Sequence, residues 1–246
     1  MRALMSAAVP RSSTVPRSPP APAVPKGAAG EQARERLLMA ALRLFADQGF
    51  ARTSTREIAQ AAGANVAAIR YYFGDKEGLY RAAFTEPMGS ARDDIVLYDQ
   101  PGLSLEASLA VFIGTFLEPM KLGDELLDRC MRLHWREMLE PTSLWQEEVE
   151  HGLRPAHEAL VRVLCRHLGL KRDDDEVHRL AFAIVALPMQ QYVCRELVER
   201  FRPALLDGDA AIEASAGRLT DYALAMVEAE ARRRAGSNNN KGRNNA

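Results

Sequence analysis

Residues 54–80 read STREIAQAAGANVAAIRYYFGDKEGLY, and this stretch decides the fold. Ser54 precedes Glu57 by three residues, the spacing of a capping box at the start of a helix. Gly63 suits the end of that helix, and Asn65 is a good N-cap for the next one. Two short helices joined by a tight glycine-containing turn are the pattern of a helix-turn-helix motif.

The segments on either side of this stretch are also predicted to be helical. In residues 31–50 the apolar positions recur every three or four residues, and Gly49 suits the end of a helix. The predicted stripe consists of Ala33, Leu37, Ala41, Leu44 and Phe45. Asp75 is the predicted N-cap of a fourth helix, which begins KEGLYRAAF.

Beyond residue 104 the helical period continues in longer segments, and no segment reads as a strand. The predicted segments are 104–121, 124–139, 142–168, 174–201 and 209–234. The fold class is therefore all-α, with an N-terminal three-helix helix-turn-helix domain and a larger helical body. The predicted divisions are a basic, Pro-rich disordered arm (1–30), the helix-turn-helix domain (31–80), the body (81–234) and a disordered polar tail (235–246).

The composition is that of an ordinary globular protein, with 47% apolar and 26% charged residues. A net charge of −1 excludes binding of nucleic acid through overall charge, so such a function has to rest on local charge. Three scattered cysteines indicate reduced thiols. No signal peptide and no apolar run long enough to span a membrane is recognised, and the chain is expected to be cytoplasmic.

The second helix of a helix-turn-helix enters the major groove of DNA by its N-terminal end. Ile69 and Phe73, four residues apart, are expected to hold this helix against the first one, with Tyr71 wedged beside them. Arg70 is suited to a guanine edge or a phosphate, and Tyr72 to a phosphate.

Residues 36–80 resemble the DNA-binding domain of the TetR family of bacterial transcriptional regulators. The shared features are L-x-x-A-x-x-L-F-A-x-x-G, then T-S/T-x-x-x-I-A, then A-G, and finally Y-Y-F-x-x-K-E-x-L-Y. One departure is Ala64, where the family usually has Val. The resemblance implies these DNA-facing positions: Thr55, Arg56, Asn65, Val66, Ala67, Ala68, Arg70, Tyr72 and Lys76.

The same resemblance implies that the body binds a small-molecule effector and forms a homodimer through its last two long helices. In residues 209–234 an apolar stripe is suited to dimerisation or to packing within one chain: Ile212, Leu219, Tyr222, Ala223 and Met226. Residues around Trp135, and the later AFAIVALPMQQYV, resemble the CecR-like subgroup of the family.

A stretch rich in Met, Trp and His predicts either core packing or the lining of an effector pocket. The candidate lining residues are Phe112, Phe116, Met131, His134, Trp135, Met138 and Trp145. Cys130 and His134 lie four apart, but no second pair completes a metal site, so no metal or cofactor is predicted.

The sequence thus predicts a homodimeric, ligand-responsive regulator, most simply a repressor, that binds a palindromic DNA operator and is not an enzyme. Two alternatives from other classes remain open. One is an all-α enzyme that uses His134 and Glu137 beside an apolar pocket. The other is a small-molecule-binding or interaction protein whose helix-turn-helix no longer binds DNA.

Overall fold

The computed structural model describes residues 27–89, 91–122 and 124–243, and it forms helices and turns with no strand in these residues. The prediction of an all-α fold is therefore confirmed. The first four helices are α1 (Ala28–Gln48), α2 (Thr55–Ala61), α3 (Val66–Phe73) and α4 (Lys76–Thr85). The body contains α5 (Ile95–Tyr98), α6 (Leu105–Leu117), α7 (Asp124–Leu139), α8 (Ser143–Glu148), α9 (Arg154–Leu168), α10 (Asp175–Val193), α11 (Arg195–Phe201) and α12 (Asp209–Arg243).

Local hydrogen bonds fix the starts of the short helices where the sequence predicts them. The Ser54 and Glu57 side chains each accept the other's backbone N–H, so the capping box is complete. Asn65 Oδ1 accepts the N–H of Ala67 at 2.9 Å and caps α3. Asp75 caps α4 in the same way. Isolated helices of seven or eight residues are unstable, so these caps and the packing below them are both needed.

The helix-turn-helix unit has a core of its own beneath α3. Leu37 and Phe45 of α1, Ile58 of α2, Ile69 of α3 and Leu79 of α4 are almost completely buried in one cluster. Burying a side chain of this size contributes about 1.5–3 kcal/mol to stability. The unit therefore presents α3 on a rigid base.

The body packs α6 against α12 and α9 against α10. Its buried cluster includes Leu109 and Ile113 of α6, Leu164 of α9, Ile184 of α10 and Ala223 of α12. The predicted segment 142–168 is divided by a π-helical turn at Val149–Leu153, just before Pro155. Proline has no N–H to continue the α-helical bonding pattern, which explains a widened turn at this place.

The chain ends differ from the predicted divisions. The predicted N-terminal arm lies outside the described residues up to 26, and Ala28–Gly30 already belong to α1. Helix α4 continues beyond residue 80 to Thr85. Helix α12 continues to Arg243, beyond the tail boundary at 235, and no proline interrupts the sequence after residue 209.

Candidate nucleic-acid interface

The N-terminal end of α3 and the start of α2 form one exposed polar surface. Arg56, Asn65, Ala67 and Arg70 are exposed, and Val66 is 43% exposed. Arginine donates to both acceptors of guanine, asparagine pairs with adenine, and small apolar side chains contact the thymine methyl group. This surface can thus read base edges if α3 enters a major groove.

The remaining predicted DNA-facing residues are half-buried at the margin of this surface. Thr55 begins α2, and Ala68 packs against the core of the unit. The Lys76 ammonium lies over the ring of Phe50, with Nζ 4.2 Å from the ring centroid. That contact holds Lys76 at the start of α4, where its charge remains available to a phosphate.

The two tyrosines of α3 exchange the positions that the sequence predicts for them. Tyr71 is 61% exposed, whereas Tyr72 is half-buried and its hydroxyl is buried without a hydrogen-bond partner in the described residues. Tyr72 lies three residues after Ile69 and therefore shares its inward face together with Phe73. Tyr71 is thus the exposed tyrosine of α3, and the spacing of Tyr72 and Phe73 from Ile69 is the signal that indicates it.

The carboxylates beside this surface are held in helix caps. Hydrogen bonds from Ser54 hold the pKa of Glu57 below its usual range, and Glu57 Oε2 lies 2.8 Å from Ser54 N and 2.7 Å from Ser54 Oγ. Asp75 Oδ1 accepts the N–H of Gly78 at 2.7 Å. Both acids keep their negative charge, but the caps engage their oxygens. The exposed arginines supply the positive charge that a phosphate backbone meets.

Helix α7 joins this unit to the body through a buried carboxylate. Glu137 is 1% exposed and accepts the hydroxyl of Tyr80 from α4. It also accepts the N–H of Thr142 at 3.0 Å and its hydroxyl at 2.9 Å. Burial, with the hydrogen bond to Glu137, raises the pKa of Tyr80 well above its usual range. The Tyr80 phenol thus stays protonated and donates to the carboxylate.

Aromatic stacking adds a second contact at the same junction. The rings of His134 on α7 and Phe84 on α4 lie 4.0 Å apart at an interplanar angle of 23°. Trp145 meets Phe84 edge-on at 6.3 Å. Burial lowers the pKa of His134, whose Nδ1 lies 2.8 Å from the carbonyl oxygen of Cys130. His134 and Glu137 therefore both contact the helix-turn-helix unit.

Two arginines of α7 contact the C-terminal end of α1. Arg136 Nη2 lies 3.4 Å from the carbonyl oxygens of Ala46 and Asp47. Positive charge at a helix C-terminus is stabilising. Arg132 Nη1 lies 3.4 Å from Asp47 Oδ1, and its Nη2 lies 3.5 Å from Asp128 Oδ2 on α7 itself.

The structure divides the predicted pocket residues between separate places. Phe112 and Phe116 lie in the core of the body, with ring centroids 6.2 Å apart, and Met131 and Trp135 pack against that core. Trp145, like His134, packs on the opposite side of α7, against the helix-turn-helix unit, and Met138 is 50% exposed. The seven residues therefore do not line one cavity, because α7 turns its sides toward different neighbours.

Met131 and Trp135 line a cavity of about 740 Å³ between α7 and the junction of α10 with α11. The lining residues are Glu125, Leu127, Asp128, Met131, Arg132, Trp135, Tyr192, Val193, Arg195, Glu196 and Glu199. This volume is within the range of small-molecule sites, about 300–1,000 Å³. The cavity is open to solvent, and Glu125, Asp128 and Val193 are each more than half exposed.

Two other kinds of site have no candidate in the described part of the chain. No group of three or more His, Cys, Asp or Glu side chains is arranged to hold a metal ion there. Across residues 27–89, 91–122 and 124–243, no helix is long and apolar enough to cross a membrane.

Two family models match the chain. Residues 37–83 match "Bacterial regulatory proteins, tetR family", and residues 105–229 match "HTH-type transcriptional dual regulator CecR, C-terminal domain". The two matches correspond to the helix-turn-helix unit and to most of the helical body. They are the two parts for which the sequence predicts this family.

Known proteins with similar sequences or folds are regulators. The transcriptional dual regulator CecR of Shigella flexneri is 34% identical over 59% of this chain and 69% of its own length. The transcriptional regulator BetI of Rhizobium meliloti is 40% identical over 84% and 95%. In fold, the TetR family regulator PfmR of Thermus thermophilus matches with a TM-score of 0.54 at 21% identity, over 77% of this chain and 97% of PfmR. The chain belongs to the TetR family of DNA-binding transcriptional regulators, which are not enzymes.

Proposed function

We propose that the chain is a ligand-released repressor that binds a palindromic operator as a homodimer and acts in the cytoplasm. The observation that carries this proposal is the exposed surface of Arg56, Asn65 and Arg70 on a packed helix-turn-helix. A relative's name includes the words "dual regulator", and an additional activating role is the second candidate.

Within this proposal, base reading is assigned to three side chains. Arg56, Asn65 and Arg70 contact base edges, each good pair contributing about 1–3 kcal/mol of discrimination. Val66, Ala67 and Ala68 contact thymine methyl groups. Thr55, Tyr71 and Lys76 contact phosphates, and such contacts position the protein without selecting a sequence.

Dimerisation is supported by large apolar side chains left exposed on the last two long helices. Phe182 of α10 is 64% exposed, and Tyr222 of α12 is 52% exposed. In the predicted stripe of α12, Ile212, Leu219 and Ala223 are instead buried in the chain's own core. A two-fold dimer through α10 and α12 would place two copies of α3 on half-sites about one helical turn apart.

Ligand release is supported by the place of α7 between the cavity and the helix-turn-helix unit. Met131 and Trp135 line the cavity, while His134 and Glu137 contact α4. A ligand that prefers one position of α7 would shift the orientation of α3. Effector and DNA would then weaken each other's binding by the same factor.

Selection of binding sites from random double-stranded DNA, combined with sedimentation of the complex, tests this proposal. We expect enrichment of a palindrome with half-sites about one helical turn apart, bound by two protomers. Recovery of no preferred sequence, or binding of single protomers to unpaired half-sites, would contradict it.

A further inference from the structure

The cavity beside α7 combines apolar and aromatic walls with an acidic lining. Leu127, Met131 and Trp135 of α7 face Tyr192 at the end of α10. The Tyr192 hydroxyl donates to the carbonyl oxygen of Phe116 at 2.6 Å, which fixes its ring. Aromatic faces and methionine sulfur are polarisable surfaces that attract organic cations as well as apolar groups.

The charged lining has an excess of carboxylates. Four acids and two arginines line the cavity: Glu125, Asp128, Glu196 and Glu199 against Arg132 and Arg195. The formal net charge of this lining is −2, and Arg129, which pairs with Glu125 from outside the lining, reduces the local excess to −1. Arg195 is paired with Glu199 at 2.6 Å. An anionic ligand would enter against this excess charge, whereas a cation would be attracted by it.

Two of these acids are available to a ligand. No hydrogen bond or ion pair within the described part of the chain engages Glu196. Asp128 has only a 3.5 Å contact with Arg132, and both side chains are more than half exposed. An exposed pair of this kind stabilises by about 0–1 kcal/mol, so a ligand cation can exchange with it readily.

We propose that this cavity binds an organic cation with an aromatic or otherwise apolar body, whose charge lies near Asp128 and Glu196 and whose body packs on Trp135 and Tyr192. The inference rests on the proposed ligand-responsive function and adds the chemical class of the effector. Arg132 connects the cavity to the helix-turn-helix unit, because it contacts both Asp128 at the cavity and Asp47 at the end of α1. A cation at Asp128 competes with Arg132 for this carboxylate, and this changes the contact of Arg132 with α1 of the helix-turn-helix unit.

Isothermal titration calorimetry of the full chain with a matched pair of probes tests the charge preference. Tetraphenylphosphonium and tetraphenylborate have the same shape and opposite charge. We expect saturable binding of the phosphonium at one site per protomer and binding of the borate at least tenfold weaker. Equal or tighter binding of the borate, or no saturable binding of the phosphonium, would overturn the proposal.

Variants then test the location. Asp128→Asn combined with Glu196→Gln is expected to weaken phosphonium binding about tenfold, or 1.4 kcal/mol. Glu106→Gln removes an exposed carboxylate of α6 that does not line the cavity, and it should bind as the wild type does. Circular dichroism checks that each variant is folded. Unchanged phosphonium affinity in the folded double variant would refute the site.

Operator binding, measured on the same samples without probe, separates a failure of the cation site from a failure of the proposed regulator function. If DNA binding is intact and the phosphonium does not bind, the cation cavity is wrong and the regulator proposal stands. If sequence-selective DNA binding is itself absent, the proposed function fails, whatever the probe does.

Discussion

The helix-turn-helix unit and the helical body present their functional groups in opposite ways. In the unit, Arg56, Asn65 and Arg70 are exposed, and the core beneath them is mainly apolar. In the body, Met131, Trp135 and Tyr192 are partly or wholly buried around a cavity. An exposed surface on short capped helices can be inferred from spacing along the chain, whereas a cavity depends on how distant helices meet.

The junction between the two regions differs from both of them. It buries a carboxylate, Glu137, and an imidazole, His134, in contact with α4. Buried polar groups impose one geometry, because any other arrangement leaves them without partners. In the proposed ligand release, a change of position in the body would reach α3 through this junction.

The largest effect is expected at this junction. Glu137→Ala leaves the buried hydroxyl of Tyr80 and the half-buried N–H of Thr142 without their acceptor. We expect it to lower the free energy of unfolding by about 2–5 kcal/mol, measured by urea denaturation. Glu140→Ala, at an exposed position just beyond α7, is the control, and equal loss in the two variants would show that the buried network contributes nothing.

The next effect sharpens the assignment of the two tyrosines on α3. Tyr71→Phe removes an exposed hydroxyl and should weaken DNA binding by about 1 kcal/mol. Tyr72→Phe removes a buried hydroxyl that has no partner in the described residues, so it should leave DNA binding unchanged and keep or raise the stability. Fluorescence anisotropy with labelled operator measures the DNA affinity of both variants. A larger loss of affinity in Tyr72→Phe than in Tyr71→Phe would contradict the assignment.

A smaller effect depends on pH. Burial lowers the pKa of His134 in the folded protein, so below about pH 6.5 the unfolded chain binds more protons than the folded one. Stability therefore falls as the pH drops through that value, and the loss continues down to the lower folded pKa. His134→Phe keeps an aromatic ring on Phe84 and should lose less stability between about pH 7 and pH 5.

This prediction compares the pH dependence of stability of the wild type with that of His134→Phe. The other four histidines are present in both, since the chain has five, and their contributions cancel. Urea denaturation curves at each pH give the difference. A variant whose stability falls as steeply as that of the wild type would exclude His134 as the source.

The smallest effect is expected at the edge of the junction. Arg81 of α4 and Glu147 of α8 form an ion pair at 2.5 Å, and both side chains are more than half exposed. Arg81→Ala should change the free energy of unfolding by no more than about 0.5 kcal/mol at moderate salt. A loss as large as that of Glu137→Ala would mean that surface charge, rather than the buried network, holds the two regions together.

The sequence was most informative where structure follows local rules. The Ser54–Glu57 capping box and the Asn65 and Asp75 caps depend on residues two or three apart, and the structure confirms them. The sequence places Tyr71 inward and Tyr72 outward, whereas in the structure Tyr71 is exposed and Tyr72 is half-buried. Such a difference of one residue arises because two neighbouring aromatics fit a helical stripe almost equally well.

The cavity and the junction could not be predicted in this way. Met131 and Trp135 lie on α7, but Tyr192 and Glu196 come from α10 and α11, about sixty residues later. His134 and Trp145, which the sequence groups with Met131, face the other side of α7. Helical spacing gives the faces of a helix but does not tell which neighbour covers each face.

The most direct test of the account is the affinity of the full chain for its selected operator, by fluorescence anisotropy at a stated salt concentration. Arg70→Ala removes an exposed cation of α3, and Arg172→Ala removes an exposed cation from the turn between α9 and α10 as the matched control. We expect Arg70→Ala to weaken operator binding by about 1–3 kcal/mol and to reduce the preference over random DNA, while Arg172→Ala binds as the wild type. Equal affinities for the operator in all three proteins would contradict the claim that α3 reads DNA.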